Sequence, residues 1–126
     1  MTDENPLKTK IRGYIDEIQS LNGVIASVIV STDGKIVGKS NNSDFPSPFL
    51  GITGATIFAS SEAAFGTFHI SRPDFIVVET MENDGLMVIK RAGKRNIIAT
   101  VINQSVDISS FKNKLASISE KVGEDL

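Results

Sequence analysis

The chain has 126 residues, 40% of them apolar and 22% charged, with a formal net charge of −2. That suits one globular domain burying about two thirds of its unfolded surface, and the slightly negative balance argues against a general affinity for nucleic-acid backbone. There is no cysteine, which excludes disulfides and thiolate metal sites, and no secretory signal or bilayer-length apolar run, so the chain reads as cytoplasmic without membrane insertion.

Asn5-Pro6 predicts a helix start, with Asn able to cap and Pro suited to the first turn. Leu7, Ile11, Tyr14, Ile15, Ile18 and Leu21 then recur at spacings of three and four, one apolar stripe on a helix that Asn22-Gly23 should end. Val24 to Ser31 is β-branched and almost wholly apolar, as expected of a strand covered on both faces. Thr32-Asp33-Gly34-Lys35 is a turn, and Ile36 to Ser40 continues as the second strand of a hairpin. Lys35 and Lys39 mark that strand as a sheet edge, since lysines discourage edge pairing.

The run Gly34 to Ser40, GKIVGKS, nearly spells a phosphate-binding loop. That loop needs a glycine where Asp33 stands, and a helix beginning at the serine. Here Ser40 leads instead into a polar stretch carrying Pro46 and Pro48. The run is a hairpin.

After the loop from Ser40 to Pro48, the stretch from Phe49 to Phe68 reads as a helix with three arcs. Leu50, Ile57, Phe58, Phe65 and Phe68 make a large apolar arc. Gly51, Ala55, Ala59, Ala63 and Gly66 make a small-residue arc beside it. Thr53, Thr56, Ser60 and Thr67 make a narrow polar arc. Two readings fit the small arc. Its residues allow close packing on the helix's own sheet, or they let a second helix approach while the large arc takes the sheet. The second accounts better for so long a stretch with almost no charge.

Phe75 to Thr80, Leu86 to Ala92 and Asn96 to Asn103 read as three strands with short turns between them, an antiparallel meander. Asp107 can cap a last helix with Ile108, Phe111, Leu115, Ile118 and Val122 on one stripe. The fold class is α+β: a single domain with a five-stranded antiparallel sheet, helices on both faces, in the order α-β-β-α-β-β-β-α. No chemistry stands out. His69 is the single histidine, Glu79 and Glu82 flank a strand end without an acid partner, and no serine sits in a Gly-x-Ser-x-Gly elbow. Lys90, Arg91, Lys94 and Arg95 read as a solubilising hairpin tip. No catalytic residue, cofactor site or metal site is expected.

The pattern resembles the roadblock/dynein light-chain domain family. The carriers are Leu21 to Val37 (LNGVIASVIVSTDGKIV), the small-residue helix GATIFASSEAAFG, and the closing three strands and helix. The resemblance implies a roadblock-like domain over 7–122, with frayed ends at 1–6 (including the helix cap) and 123–126. It also implies dimerisation, with a second copy or another roadblock chain, through the second helix and third strand. That makes Gly51, Ile52, Ala55, Ala59, Ala63, Phe75 and Val77 the expected interface. The family's members are non-catalytic subunits of motors, GTPase scaffolds and polarity systems, so the implied partner is a small Ras-like GTPase docked on Thr53, Thr56, Ser60 and Thr67. A motor light chain or a profilin-like or PAS-like ligand sensor is the alternative.

Overall fold

Asn5 caps the first helix as its place before Pro6 suggests, its side chain accepting a hydrogen bond from the Leu7 N–H at 2.9 Å. The computed structural model describes residues 5–41 and 44–126; the expected frayed stretch 1–4 lies outside them. In chain order the elements are α1 (Pro6–Gln19), β1 (Val24–Ser31), β2 (Ile36–Lys39), α2 (Ser47–Thr67), β3 (Phe75–Glu79), β4 (Leu86–Ala92), β5 (Asn96–Ile102) and α3 (Ile108–Asp125). The strands form one antiparallel sheet in the order β2-β1-β5-β4-β3. This is the architecture expected from the sequence.

Strand alternation sorts the sheet's side chains into two cores. Ile29, Val88, Ile98 and Ile102 meet Ile15 and Ile18 of α1 and Leu115 and Val122 of α3 on one face. Ala26, Val28, Val30, Ile89, Ile97 and Ala99 meet Leu50, Ala55 and Phe58 of α2 on the other. Each large side chain buried there contributes roughly 1.5–3 kcal/mol, so both faces are needed to hold the sheet.

Two boundaries in the first half of the chain, at the end of α1 and the start of β2, differ from expectation. α1 stops at Gln19 with Ser20 as its C-cap, so Leu21 packs on the core from the following turn. Gly23 does take the left-handed conformation, at φ +88, and a Cβ there would lie 2.0 Å from Val106 Cγ2. Lys35 belongs to the turn before β2, because the Ser31 N–H bonds the Lys35 carbonyl at 2.8 Å and closes the loop first.

The C-terminal stretch 123–126, expected to fray, carries the last turn of α3 as far as Asp125. Two glycines explain this. A Cβ on Gly123 would lie 2.8 Å from Gly93 N, and one on Gly93 would lie 2.8 Å from Gly123 Cα, so the helix end rests directly on the β4–β5 turn. The Tyr14 hydroxyl donates to the Asp125 carboxylate from α1, and Lys10 lies 3.4 Å from the same oxygen.

That hydrogen bond pushes the Tyr14 phenol up to about 12, with desolvation adding to it, and holds Asp125 below the usual carboxylate range. A phenol raised in the folded state stabilises the fold below pH 10 and loses that contribution between about 10 and 12. Tyr14 is the single tyrosine and there is no tryptophan, so phenolate absorbance reports it alone. Its midpoint is expected near 12 in the native chain and back toward 10 in Asp125→Asn. An unshifted midpoint in the native chain refutes the contact.

Candidate interaction surface

The second helix begins two residues earlier than its apolar run suggests, because a small hydroxyl network fixes its start. Ser47 Oγ donates to the Ser40 carbonyl at 2.8 Å, and Ser40 Oγ accepts from the Ser27 N–H at 2.9 Å. All three serines are buried, tying α2 to β1 and to the end of β2.

From that anchor α2 buries Ser47, Leu50, Gly51, Gly54, Ala55 and Phe58 against the sheet. A Cβ on Gly51 would lie 2.4 Å from Ile36 Cδ1, and one on Gly54 would lie 2.9 Å from Ala99 Cβ. The small residues of the first half therefore lower the helix onto β2, β1 and β5. This corrects the partner-facing role expected of Gly51 and Ala55: both belong to the domain's own core. The large arc divides too. Leu50 and Phe58 are buried, while Phe65 and Phe68 stay exposed on the last turns.

Gly51 sits over β1 and β2, Gly54 over β5, and Glu62 within 3.5 Å of Arg91 on β4. The helix thus crosses the sheet diagonally and leaves part of the β3–β4 half bare. Val78 is exposed there, and Ile76 and Met87 are half-buried. A wholly apolar hollow of about 220 Å³ runs under Phe45, Phe49, Leu50 and Thr53 to Met87 and Val101. It continues into a second hollow of about 310 Å³ reaching Val78 and Thr80.

Two lines of α2 residues remain open. Thr53, Ile57, Ser60 and Ala64, at spacings of four, three and four, overlook the bare half-sheet. Phe49, Ile52, Thr56, Ala59, Ala63 and Thr67 form the crown facing away from the sheet, with Phe49 67% and Ile52 57% exposed. The threonines are less polar than their type suggests. Thr53 donates to the Phe49 carbonyl at 2.9 Å, Thr56 to Ile52 at 2.9 Å and Thr67 to Ala63 at 3.0 Å. With hydroxyls spent on their own helix they present methyl groups, and covering them strands no donor. The one charge on α2, Glu62, turns toward Arg91 and Arg72 at 3.5 and 3.9 Å, and the Arg91 guanidinium lies over the Phe58 ring.

The side chains of Phe75 and Val77 lie on the opposite face of the sheet from this surface. Strand alternation turns them to the α3 face, where the Lys112 and Lys90 ammoniums lie 4.9 and 5.2 Å from the Phe75 ring centre. Their backbone is another matter. The Arg91 N–H bonds the Asp74 carbonyl at 2.9 Å, so Asp74, Ile76 and Val78 turn their backbone groups to β4. Phe75, Val77 and Glu79 turn theirs to the open edge. The two edges of the sheet differ. β2 is four residues long, bulged and carries Lys39, whereas β3 pairs in unbroken register and carries no lysine.

Lys90 and Arg91, expected at a solubilising tip, are instead paired with Asp74 and Glu62; Lys94 and Arg95 do occupy the exposed turn. Among the described residues no three His, Asp or Glu side chains gather where they could hold a metal. No helix among them is long and apolar enough to cross a membrane.

No protein-family model and no curated protein matches the sequence. Solved structures do match the fold. The gliding protein MglB of Thermus thermophilus superposes with a TM-score of 0.82 at 13% identity, over 97% of this chain and 92% of that one. MglB solved in a tetrameric arrangement gives 0.82 at 12% identity, over 97% and 91%. A Roadblock/LC7 domain from Streptomyces avermitilis gives 0.75 at 17% identity, over 96% and 95%. The likeness runs nearly end to end in each case, and the chain has the roadblock/LC7 fold.

Proposed function

We propose that the chain is a non-catalytic, dimeric interaction module that scaffolds or regulates a small Ras-like GTPase. The observation that carries this is the pairing of an unprotected β3 edge with a helix whose open residues bear no charge. Two copies joined along β3 bring their bare half-sheets side by side, with the Thr53-Ile57-Ser60-Ala64 line of each α2 overlooking the seam. The tetrameric arrangement of MglB is a precedent for self-association on this fold. Another roadblock chain with the same edge fits equally well. The polar arc and the small arc thus exchange parts of their expected roles: Thr53 and Ser60 join the dimer seam, while Ala59 and Ala63 pass to the crown.

The crown stays open in such a dimer, and a surface of small methyl-bearing side chains around Ile52 and Phe49 suits a non-obligate partner. The GTPase itself comes from the family resemblance. The GTP-bound state is the expected form, since switch segments present a defined surface when the γ-phosphate orders them. The hollow beside α2 is apolar throughout, which favours a protein interface over a sensor that must orient a polar ligand.

The test is a titration of the source organism's small GTPases, loaded with GTP analogue or GDP, against the native dimer and Thr56→Arg. Binding of the GTP form, lost in Thr56→Arg while the dimer persists, is the expected result. If no GTPase binds, or if Thr56→Arg binds equally well, the docking model falls and a motor-subunit or sensor role takes its place.

A further inference from the structure

We infer that the end of α2 is an apolar knob that seats in the apolar hollow of a second copy. This rests on the β3-joined dimer proposed above and makes its partner another copy of the same chain. The helix end builds the knob. The Ile70 N–H bonds the Phe65 carbonyl at 2.9 Å and the His69 N–H bonds the Gly66 carbonyl at 3.1 Å, with His69 left-handed at φ 59. Those two bonds make a Schellman closure, which folds the chain back and brings Ile70 beside Phe65. The Ala64 carbonyl accepts from the Phe68 N–H, so covering the knob strands none of these three acceptors.

Phe58, Glu62 and Phe65, spaced by four and three, share the sheet-facing side of α2. Phe58 is buried and Glu62 reaches Arg91 at 3.5 Å, yet Phe65 is 38% exposed. The helix therefore overruns its own sheet. Phe68 and Ile70, 69% and 57% exposed, extend the overhang. It stands at the end of β3 where the Arg91 N–H bonds the Asp74 carbonyl. The hollow under Phe45 opens at the other end of that strand, beside Val78 and Thr80, on the same face of the sheet.

Antiparallel pairing of two β3 strands reverses those ends. The register that pairs the whole strand with itself sets Val77 opposite the partner's Val77 and Ile76 opposite the partner's Val78. Its two-fold axis is perpendicular to the sheet, so both α2 helices stay on one face. Each knob then comes to the other copy's hollow, and the contact is made twice. A partner with a β3 edge but no knob or no hollow would leave one contact open.

The chain has no cysteine, so single thiols can map the contact. Ile70→Cys and Thr80→Cys chains, co-expressed and treated with a short bis-maleimide, should cross-link to each other, and neither should do so alone. Val77→Cys alone reports the edge, since the register sets it opposite its own copy. Cross-linking of Val77→Cys without the mixed pair leaves the dimer standing and overturns the knob. Self-linking of Ile70→Cys puts two knobs together and also overturns it, while silence in every arm overturns both. Phe68→Ser, which meets solvent in a single copy, should weaken the dimer roughly tenfold on dilution with the fold unchanged. An unchanged dissociation constant removes the knob from the seam.

Discussion

Ala64→Arg is expected to turn a dimer into a monomer without unfolding the domain. Ala64 is exposed on the last turns of α2, so a long side chain there meets solvent in a single copy. In the proposed dimer it meets the seam, where an unpaired buried cation costs several kcal/mol. Two-fold symmetry applies that cost twice. Val77→Pro attacks the same seam through the other element. The Val77 N–H faces the open edge, so proline removes no bond to β4 but takes away a donor a second β3 strand would use. Light scattering at micromolar concentration reads both, and circular dichroism checks the fold. A native chain that is already monomeric, or both variants remaining dimeric, refutes the seam. Ala59→Arg lies on the crown and should leave the dimer intact.

The second large effect concerns how α2 is seated. Gly54→Leu should destabilise the domain by about 1–3 kcal/mol or more, as overpacked cores do. Its Cβ would already lie 2.9 Å from Ala99 Cβ, and neither the strand nor the helix backbone has a flexible end to give way. Gly66→Leu is the matched control, since nothing lies within 4 Å of its added Cβ. It should be neutral or slightly stabilising, because glycine is a poor helix former by about 1 kcal/mol. Chemical denaturation of the two variants measures the difference. Equal stabilities refute the close approach of α2 to β5.

The contrast between these two glycines also shows what the sequence could and could not reveal. Element order, the β1–β2 hairpin, the β3–β4–β5 meander and the faces of α1 and α3 were legible from turn signals and from apolar residues that follow a clear period, as with Ile11, Ile15 and Ile18, whereas the β1–β5 pairing that joins hairpin to meander came only with the structure. The seating of α2 was not legible. Its apolar and small residues run almost all the way round, so periodicity cannot say which arc faces the sheet. The choice falls to contacts with distant residues, Ile36 for Gly51 and Ala99 for Gly54. The threonines misled for a different reason. A hydroxyl counts as polar in the sequence, and its bond to the carbonyl four residues back becomes visible only once the helix is built. Phe75 and Val77 were placed by position in a family pattern, which specifies the strand but not the face each side chain takes.

The unequal edges of the sheet bear on how far assembly can grow. A strand edge is a template, and a chain with two good ones would polymerise without limit. In the proposed dimer, copies joined at β3 would leave β2 at both ends of the doubled sheet, short, bulged and lysine-bearing. Each such end would refuse a further copy of the same chain, so growth of the proposed dimer along the sheet is expected to terminate at two. Stoichiometry is thereby written into strand chemistry, and concentration alone should not drive this protein into filaments.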